Sequence, residues 1–204
     1  MNNVTRDNNR FQDGDAAVVR AFQSGEKKAF DELVLRYRDR VFNMCYRFLG
    51  DYQEAEDTAQ DVFLKAYSSL KMFRFKSSFY TWLYRITVNT CKNRLKSLGY
   101  RLMKMRVSLS DAENEDKDIN LPSKTIADES KSPLLQIEKK ERANLIQKAI
   151  NSLSSEHKSV VILRDIEGFS YEEIADITGI KPGTIKSTLS RARLCLREKL
   201  GGYI

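Results

Sequence analysis

Apolar residues recur every three or four positions along most of this sequence, and no stretch alternates with the period of two that a half-buried strand requires. Helical spacing runs through residues 26–49, 52–70 and 78–97, and it resumes at about residue 134. Gly50 follows the first of these segments, at a position where glycine commonly ends a helix. The pattern therefore predicts an all-α protein.

One segment interrupts the helical periodicity. Residues 107–133 contain no aromatic side chain, are rich in Ser, Asn and Pro, and carry seven acidic residues. Such a composition cannot bury enough apolar surface to fold alone. We therefore expect two small helical domains, at 12–100 and 134–204, joined by a flexible acidic linker at 101–133.

The composition excludes several classes of protein. No apolar run approaches the roughly 18 residues that span a bilayer, and the first residues lack the apolar core of a signal peptide. Cys45, Cys91 and Cys195 are scattered, and His157 is the only histidine of the 204 residues. We therefore expect a cytoplasmic protein that is not a membrane protein, with no cofactor, no metal site and no catalytic residues.

The net charge of +7 is unevenly distributed. Residues 51–64 contain five acids and no base, whereas residues 65–106 contain eleven bases, no acid and eight aromatic residues. Basic side chains can hold phosphates while aromatic rings stack on bases, for about 1–3 kcal/mol per base. The basic segment therefore predicts a surface for single-stranded nucleic acid.

The aromatic residues of this segment have an alternative interpretation as core. Phe79, Trp82 and Leu83 are spaced for one helix face, and we expect them to be buried. Core packing does not explain the absence of acids, because a solvated face usually mixes charges of both signs. The helix at 78–97 carries a polar stripe away from that core, which we interpret as a nucleic-acid face: Arg85, Asn89, Lys92, Asn93 and Lys96.

The acids of residues 51–64 also allow two interpretations. Carboxylates near a helix N-terminus interact favourably with the helix dipole, which accounts for Asp51 through Asp57. Gln60 and Asp61 lie in the third turn, where that explanation is weaker. An acidic surface beside a DNA-binding surface would repel DNA, so we expect its partner to be a basic protein surface.

A helix-turn-helix is predicted near the C-terminus. Ser170 and Glu173 form a capping box, Gly179 lies in the turn, and Pro182 opens the second helix. That helix presents polar residues near its start, as a recognition helix in the major groove does: Lys186, Ser187, Ser190 and Arg191, with Arg193 on one flank. The alternative is a helical hairpin with a solvated basic face.

Several long strings, in order, resemble the extracytoplasmic-function (ECF) sigma factors of bacterial RNA polymerase. They are AFDELVLRYRDRVFNMCYRFLGDYQEAEDTAQDVFLKAY, SSFYTWLYRITVNTCKNRL and LRDIEGFSYEEIADITGIKPGTIKSTLSRAR. The resemblance covers about residues 15–200, and it is strongest to factors that respond to envelope stress. It implies an alternative sigma factor that binds core polymerase, recognises and melts promoters, and is controlled by an anti-sigma factor.

The resemblance also implies roles for individual residues. Docking on the β′ clamp helices of polymerase would use Asp57, Gln60, Asp61 and Phe63. Binding of the minus-ten DNA, including a base extruded from the single-stranded non-template strand, would use Phe75, Lys76, Ser77, Arg85, Asn89, Lys92, Asn93 and Lys96. Binding of the duplex minus-thirty-five DNA would use Arg164, Lys186, Ser187, Ser190, Arg191 and Arg193, while the apolar surface of the second domain would meet the β flap.

Two other functions compete with this interpretation. A self-sufficient repressor or activator would bind duplex DNA tightly without polymerase, but it has no need of an aromatic stacking segment. A nuclease would need carboxylates grouped for a metal, or a nucleophile beside a base. The acids between Asp51 and Asp61 have no such partner, so we do not expect an enzyme.

Overall fold

The computed structural model describes residues 14–108 and 133–201, with side chains for 14–99 and 141–201. Every regular element in these ranges is helical, which confirms the all-α prediction. The elements are α1 (14–23), α2 (Ala29–Leu49), α3 (Tyr52–Leu70), α4 (Phe79–Ser108), α5 (Pro133–Asn151), α6 (Ser155–Val161), a π-helical turn (Ile162–Ile166), α7 (Tyr171–Thr178) and α8 (Pro182–Leu200).

Helices α1 to α4 form the first domain around one apolar core. The face of α2 that carries Leu33, Tyr37 and Val41 is fully buried, and Val62 of α3 and Leu83 of α4 meet it. This is the i, i+4 spacing that the sequence predicts, because residues one helical turn apart share a face.

The joint between α2 and α3 shows why the predicted end of α2 at 49 and start of α3 at 52 match the structure, although α2 begins at Ala29 rather than at 26. Gly50 ends α2 in the left-handed region at φ 76°, where its N–H donates to the carbonyl of Tyr46 at 2.8 Å. Asp51 then caps α3, because its side chain accepts a hydrogen bond from the N–H of Glu54 at 2.8 Å. Local sequence thus determines both helix ends.

A buried carboxyl group on helix α1 hydrogen-bonds to α2. Asp15 accepts hydrogen bonds from the guanidinium of Arg36 and the hydroxyl of Tyr37. Burial raises the pKa of Asp15, although both hydrogen bonds act in the opposite direction. The three groups satisfy one another in the interior, so α1 is an integral part of the first domain.

Helices α5 to α8 form the second domain. Ser170 accepts from the N–H of Glu173 at 3.2 Å, and the Glu173 carboxylate accepts from the N–H of Ser170 at 2.8 Å, so the predicted capping box is confirmed. Gly179 ends α7 in the left-handed region at φ 74°, and Pro182 occupies the first turn of α8. The predicted helix-turn-helix is therefore present.

Helix α4 is longer than the sequence predicts. The periodicity suggested an end near residue 97, but the helix continues to Ser108 and takes in residues 101–108 of the expected linker. Residues 109–132 of that linker lie outside the described residues, as do 12–13 and 202–204 of the expected domains. Among the described helices, none has both the length and the apolar character needed to cross a membrane.

The two domains pack directly against each other, and their buried cores join in one cluster. Helix α7 lies along α4, and α5 meets α2. The ring of Phe169 stacks on that of Tyr80, with centroids 4.8 Å apart and planes 14° apart, and the hydroxyl of Tyr84 donates to Glu167 at 2.9 Å. Aromatic packing therefore contributes much of this contact.

Polar side chains of the second domain cap the C-terminus of α2. The ammonium of Lys158 donates to the carbonyl of Phe48 at 2.9 Å, and the side-chain amide of Gln147 donates to the carbonyl of Arg47 at 3.0 Å. The last carbonyls of a helix lack partners within it and carry partial negative charge, so a cation is favourable there. Lys158 is only 4% exposed, which makes this hydrogen bond a defining feature of the interface.

Glu167 makes the domain contact depend on pH. Burial raises its pKa above the ordinary 4.5, while the Tyr84 hydroxyl, Arg47 and Arg40 act in the opposite direction. A carboxyl whose pKa is raised on docking favours the docked form below its ordinary pKa, and that contribution is lost as the pH rises through the raised pKa.

We therefore expect docking to weaken as the pH rises from 4.5 through that raised value, as measured by small-angle X-ray scattering. Glu167→Gln keeps an acceptor for Tyr84 without a charge, so it should remove this part of the pH dependence. Because the pKa of Asp15 is also raised, the informative quantity is the difference between the two proteins. Identical pH profiles would contradict the assignment to Glu167.

Candidate nucleic-acid and polymerase-binding surfaces

The predicted polymerase-binding residues lie on one side of α3. Asp57, Gln60 and Asp61 are exposed at positions that share a helix face, and Leu64 beside them is 69% exposed. Phe63 lies off this face, half-buried against the core. We call the exposed group Asp57, Gln60, Asp61 and Leu64 the acidic face: it offers two carboxylates around an apolar side chain.

An ion-pair network ties the acidic face to α4. The guanidinium of Arg94 pairs with Glu54 and lies 3.7 Å from a carboxylate oxygen of Asp57. These carboxylates, and Asp61 at longer range, raise the pKa of Arg94. Arg94 neutralises only part of the charge on α3, so the acidic face remains suited to a basic partner.

The predicted nucleic-acid stripe lies on α4. Arg85, Asn89, Asn93 and Lys96 are exposed, while Lys92 is half-buried. Burial lowers the pKa of Lys92, and the nearby Glu156 of α6 opposes that shift. Four of the five stripe residues are therefore accessible, and the fifth lies at the edge of the domain contact.

Most aromatic residues of the basic segment belong to the interior. The prediction that Phe79, Trp82 and Leu83 form core is confirmed, since none of them is more than 9% exposed. Tyr80 and Tyr84 are also buried, and the ring of Phe169 from the second domain packs against both. Burial in the domain contact raises the pKa of Tyr80 to about 12. The four aromatic rings among these residues are thus not available for stacking in this arrangement.

One exposed ring lies in the loop between α3 and α4. Phe75 is 39% exposed and has φ 54°, the only positive φ among the described non-glycine residues. Bulky residues rarely adopt this conformation, which persists only where the surroundings enforce it. Its ring lies 4.9 Å from the buried ring of Phe73, and the neighbouring Lys76 is exposed while Ser77 is half-buried. Phe75 therefore offers a ring surface for stacking.

Two residues that the sequence pattern did not single out contact this loop from α1. The guanidinium of Arg20 lies over the Phe75 ring at 5.3 Å, and the side-chain amide of Gln23 donates to the carbonyls of Leu70 and Phe73. Both contacts join residues about 50 positions apart, so no local sequence signal could have revealed them.

Helix α8 presents a polar face beside its buried side. Ile185, Leu189 and Ala192 face the core of the second domain. The predicted recognition residues in the first half of the helix are all exposed: Lys186, Ser187, Ser190 and Arg191. The residues predicted to read bases are therefore open to solvent, as a recognition helix requires.

The remaining two arginines predicted to bind DNA have partners within the second domain. Arg164 donates to the carbonyl of Phe169 at 2.7 Å and lies over the ring of Tyr171 at 5.0 Å. Arg193 pairs with Asp165, and this hydrogen bond raises its pKa. Either residue would have to rearrange, or use its remaining N–H groups, in order to contact DNA.

Other kinds of site find little support in the described part of the chain. No group of three or more His, Cys, Asp or Glu side chains there could hold a metal ion. Cys45 and Cys91 are free and buried, with sulfurs 3.7 Å apart, and Cys195 is free and partly exposed.

Comparison with known families and proteins gives matches over most of the chain. Residues 33–100 match the family described as Sigma-70 region 2, and residues 143–196 match Sigma-70, region 4. The chain is 38% identical over 196 residues to the RNA polymerase sigma-H factor of Pseudomonas aeruginosa, covering 93% of this chain and 95% of that protein. It is 38% identical over 186 residues to the ECF RNA polymerase sigma-E factor of Haemophilus influenzae, covering 91% and 95% respectively.

Solved structures show the same likeness. The sigma factor RpoE of Bartonella quintana, determined in complex with the anti-sigma factor NepR, superposes with a TM-score of 0.63 at 28% identity, covering 87% of this chain and 99% of that one. CnrH, determined with the cytosolic domain of CnrY, has the same TM-score at 21% identity, covering 92% and 97%, and supports the fold alone. The sequence relatives and the two matched regions together show that this chain belongs to the ECF family of RNA polymerase sigma factors.

Proposed function

We propose that this chain is an alternative sigma factor that binds core RNA polymerase and directs it to promoters, where it takes part in melting the DNA. The observation that carries the proposal is the adjacency of two opposite surfaces on one domain. The acidic face lies on α3, and the acid-free polar stripe lies on the neighbouring helix α4. A protein partner and a nucleic-acid partner can therefore bind side by side.

The residue roles follow from this arrangement. Residues of the acidic face, with Phe63 behind them, would dock on the β′ clamp helices. The α4 stripe and the loop of Phe75, Lys76 and Ser77 would hold the minus-ten DNA. The exposed residues of α8, with Arg164 and Arg193 after release from their present partners, would hold the minus-thirty-five DNA. The apolar surface of the second domain would meet the β flap.

Domain boundaries and location belong to the same proposal. The first domain, about 12–100, and the second, about 134–204, would act as separate modules joined by the linker at 101–133. Polymerase is a cytoplasmic enzyme, so we place the action of this chain in the cytoplasm. Its contribution is binding and DNA opening rather than chemistry of its own.

Docking of the two domains limits what the arrangement described above can bind. The minus-ten and minus-thirty-five elements are separated by about 25 base pairs, or about 85 Å of duplex. Two docked domains of about 160 residues together would be about 40 Å across. Simultaneous contact with both elements therefore requires the domains to separate. The sequence between Ser108 and Pro133 is long enough to allow this, at about 3.3 Å per extended residue.

Control by an anti-sigma protein is a further part of the proposal. The Bartonella quintana sigma factor, which is 28% identical to this chain over most of its length, was determined with an anti-sigma factor bound. A protein that holds a sigma factor away from polymerase must cover a surface that polymerase uses. We therefore expect the anti-sigma partner and core polymerase to compete for this chain.

Transcription with purified components tests the proposal. Core polymerase should initiate at specific promoters in a genomic library only when this chain is added. The free chain should bind duplex promoter DNA weakly, whereas a self-sufficient repressor or activator would bind it tightly without polymerase. Initiation that does not depend on the chain would refute the proposed function.

Arg191→Ala tests the minus-thirty-five contact. If Arg191 reads a base edge, its loss should weaken promoter binding by the holoenzyme by about 1–3 kcal/mol and relax specificity at one position. Lys199→Ala is a suitable control, because Lys199 is an exposed cation eight residues later, about 12 Å along the helix. Equal affinities for the two variants in a filter-binding assay would remove Arg191 from the interface.

A further inference from the structure

Helix α1 is held rigidly beside the loop between α3 and α4. Val19 is fully buried, and Phe22, which is 3% exposed, packs edge-on against Tyr67 of α3 with centroids 5.2 Å apart. Together with the buried Asp15, these contacts fix both ends of α1 on the first domain. Side chains on its other face therefore have a defined position relative to the loop.

Gln23 connects α1 to the start of that loop. Its Nε2 donates to the carbonyl of Leu70 at 3.0 Å and to the carbonyl of Phe73 at 2.9 Å. Leu70 is the last residue of α3, and Phe73 lies inside the loop. A side-chain amide has two N–H donors, and both are used here. Gln23 thus determines the path by which the chain leaves α3 and reaches Phe75.

Arg20 lies one helical turn before Gln23, with its guanidinium over the exposed ring of Phe75 at 5.3 Å. The side chain of Arg20 is itself exposed, and among the described residues no carboxylate forms an ion pair with it. A guanidinium carries five N–H donors in a planar fork, and the ring occupies none of them in a conventional hydrogen bond. Arg20 therefore has N–H donors beside the loop that can hydrogen-bond to a ligand.

We propose that Arg20 is a further binding residue for the unpaired DNA strand and that Gln23 is a positioning residue for Phe75. The inference deepens the proposed function and rests on it. An unpaired nucleotide has a base that can stack on the Phe75 ring and a phosphodiester that can accept paired hydrogen bonds from a guanidinium. When the base takes the ring face, Arg20 is displaced toward the phosphate of the same strand.

Chemically modified oligonucleotides can separate the two roles. The probes are single-stranded oligonucleotides enriched from a random pool by the unmodified chain bound to core polymerase. Affinity is measured by fluorescence anisotropy with the complete chain and core. One probe series carries an abasic site at each position in turn, which removes a stacking base. A second series carries a methylphosphonate at each position, which removes a phosphate charge.

For Arg20 we expect a specific loss of phosphate recognition. Arg20→Ala should lower affinity about tenfold, and Arg20→Lys should recover part of it, because the charge remains but the planar fork does not. Arg38→Ala is the matched control, since Arg38 is an exposed arginine of α2 paired with Asp39. It should change affinity less than twofold. A methylphosphonate at one position should weaken binding by the unmodified protein but should not change binding by Arg20→Ala.

For Gln23 we expect the opposite signature. With Gln23→Ala, an abasic site at the position whose base stacks on Phe75 should no longer lower affinity, whereas the methylphosphonate should still lower it. The proposal is overturned for Arg20 if Arg20→Ala binds as Arg38→Ala does, or if it keeps the full methylphosphonate penalty. It is overturned for Gln23 if the abasic penalty is retained.

These failures differ from a failure of the proposed function. If Phe75→Ala lowers affinity and Arg20→Ala does not, the loop remains the base-binding element and only the role of Arg20 is lost. If neither substitution nor any abasic site changes binding, both the inference and the minus-ten assignment of the loop are wrong.

Discussion

Reversing the charge of Asp61 should abolish productive binding to core polymerase. Asp61 is exposed in the middle of the acidic face. Asp61→Arg would place a cation against a basic docking site, and contact between like charges costs several kcal/mol. We therefore expect at least a hundredfold weaker binding of core, measured by titration of a labelled chain, and loss of promoter-specific transcription.

Glu56→Arg is the matched control for this experiment. Glu56 is an exposed carboxylate on the same helix, but it points about 140° away from Asp61 around the axis. The control should keep most of its affinity for core. Circular dichroism should show unchanged helix content for both variants, because neither side chain contributes to the core. If Asp61→Arg binds core as the control does, the clamp assignment of the acidic face fails.

Removing the charge of Lys158 should release the second domain from the first. Lys158→Met keeps an apolar stem but leaves the carbonyl of Phe48 without its charged donor. A hydrogen bond to a charged group contributes about 1.5–3 kcal/mol, and an unsatisfied buried carbonyl adds to the loss. We expect a larger radius of gyration by small-angle X-ray scattering and faster amide exchange in both faces of the interface.

Lys148→Met controls for the loss of one lysine, because Lys148 is exposed on α5. It should leave the scattering curve unchanged. The Lys158 variant should retain its helix content, since each domain keeps its own core. An unchanged radius of gyration for Lys158→Met would mean that aromatic packing of Tyr80 and Phe169 is sufficient to hold the domains together.

Helix ends could be predicted because their causes are local. Gly50 ends α2, Asp51 caps α3, and the Ser170–Glu173 capping box begins α7, each through contacts within four residues. The end of α4 was misplaced because Gly99 lies where a glycine often ends a helix, yet the helix continues through it to Ser108. Periodicity identifies a helix more securely than it marks where an uncapped helix stops.

The candidate surfaces were predictable to the extent that they depend on spacing along one helix. Asp57, Gln60 and Asp61 share a face of α3 by helix geometry alone, and the α4 stripe follows the same rule. The roles of the aromatic residues were harder to predict, because a ring can be core or surface with the same spacing. The rings of Tyr80 and Tyr84 pack against Phe169 of the other domain, a contact that spacing along α4 does not reveal.

The sequence by itself determined the family, the all-helical class, the division into two domains and the charge on each helix face. These properties depend on periodicity, composition and motif order, all of which can be read from the sequence alone. Tertiary structure alone decided that Arg20 and Gln23 meet the loop of Phe75, that Lys158 caps α2, and that Arg164 and Arg193 have internal partners. Most of these contacts join residues far apart in sequence, and their geometry exists only once the helices have packed.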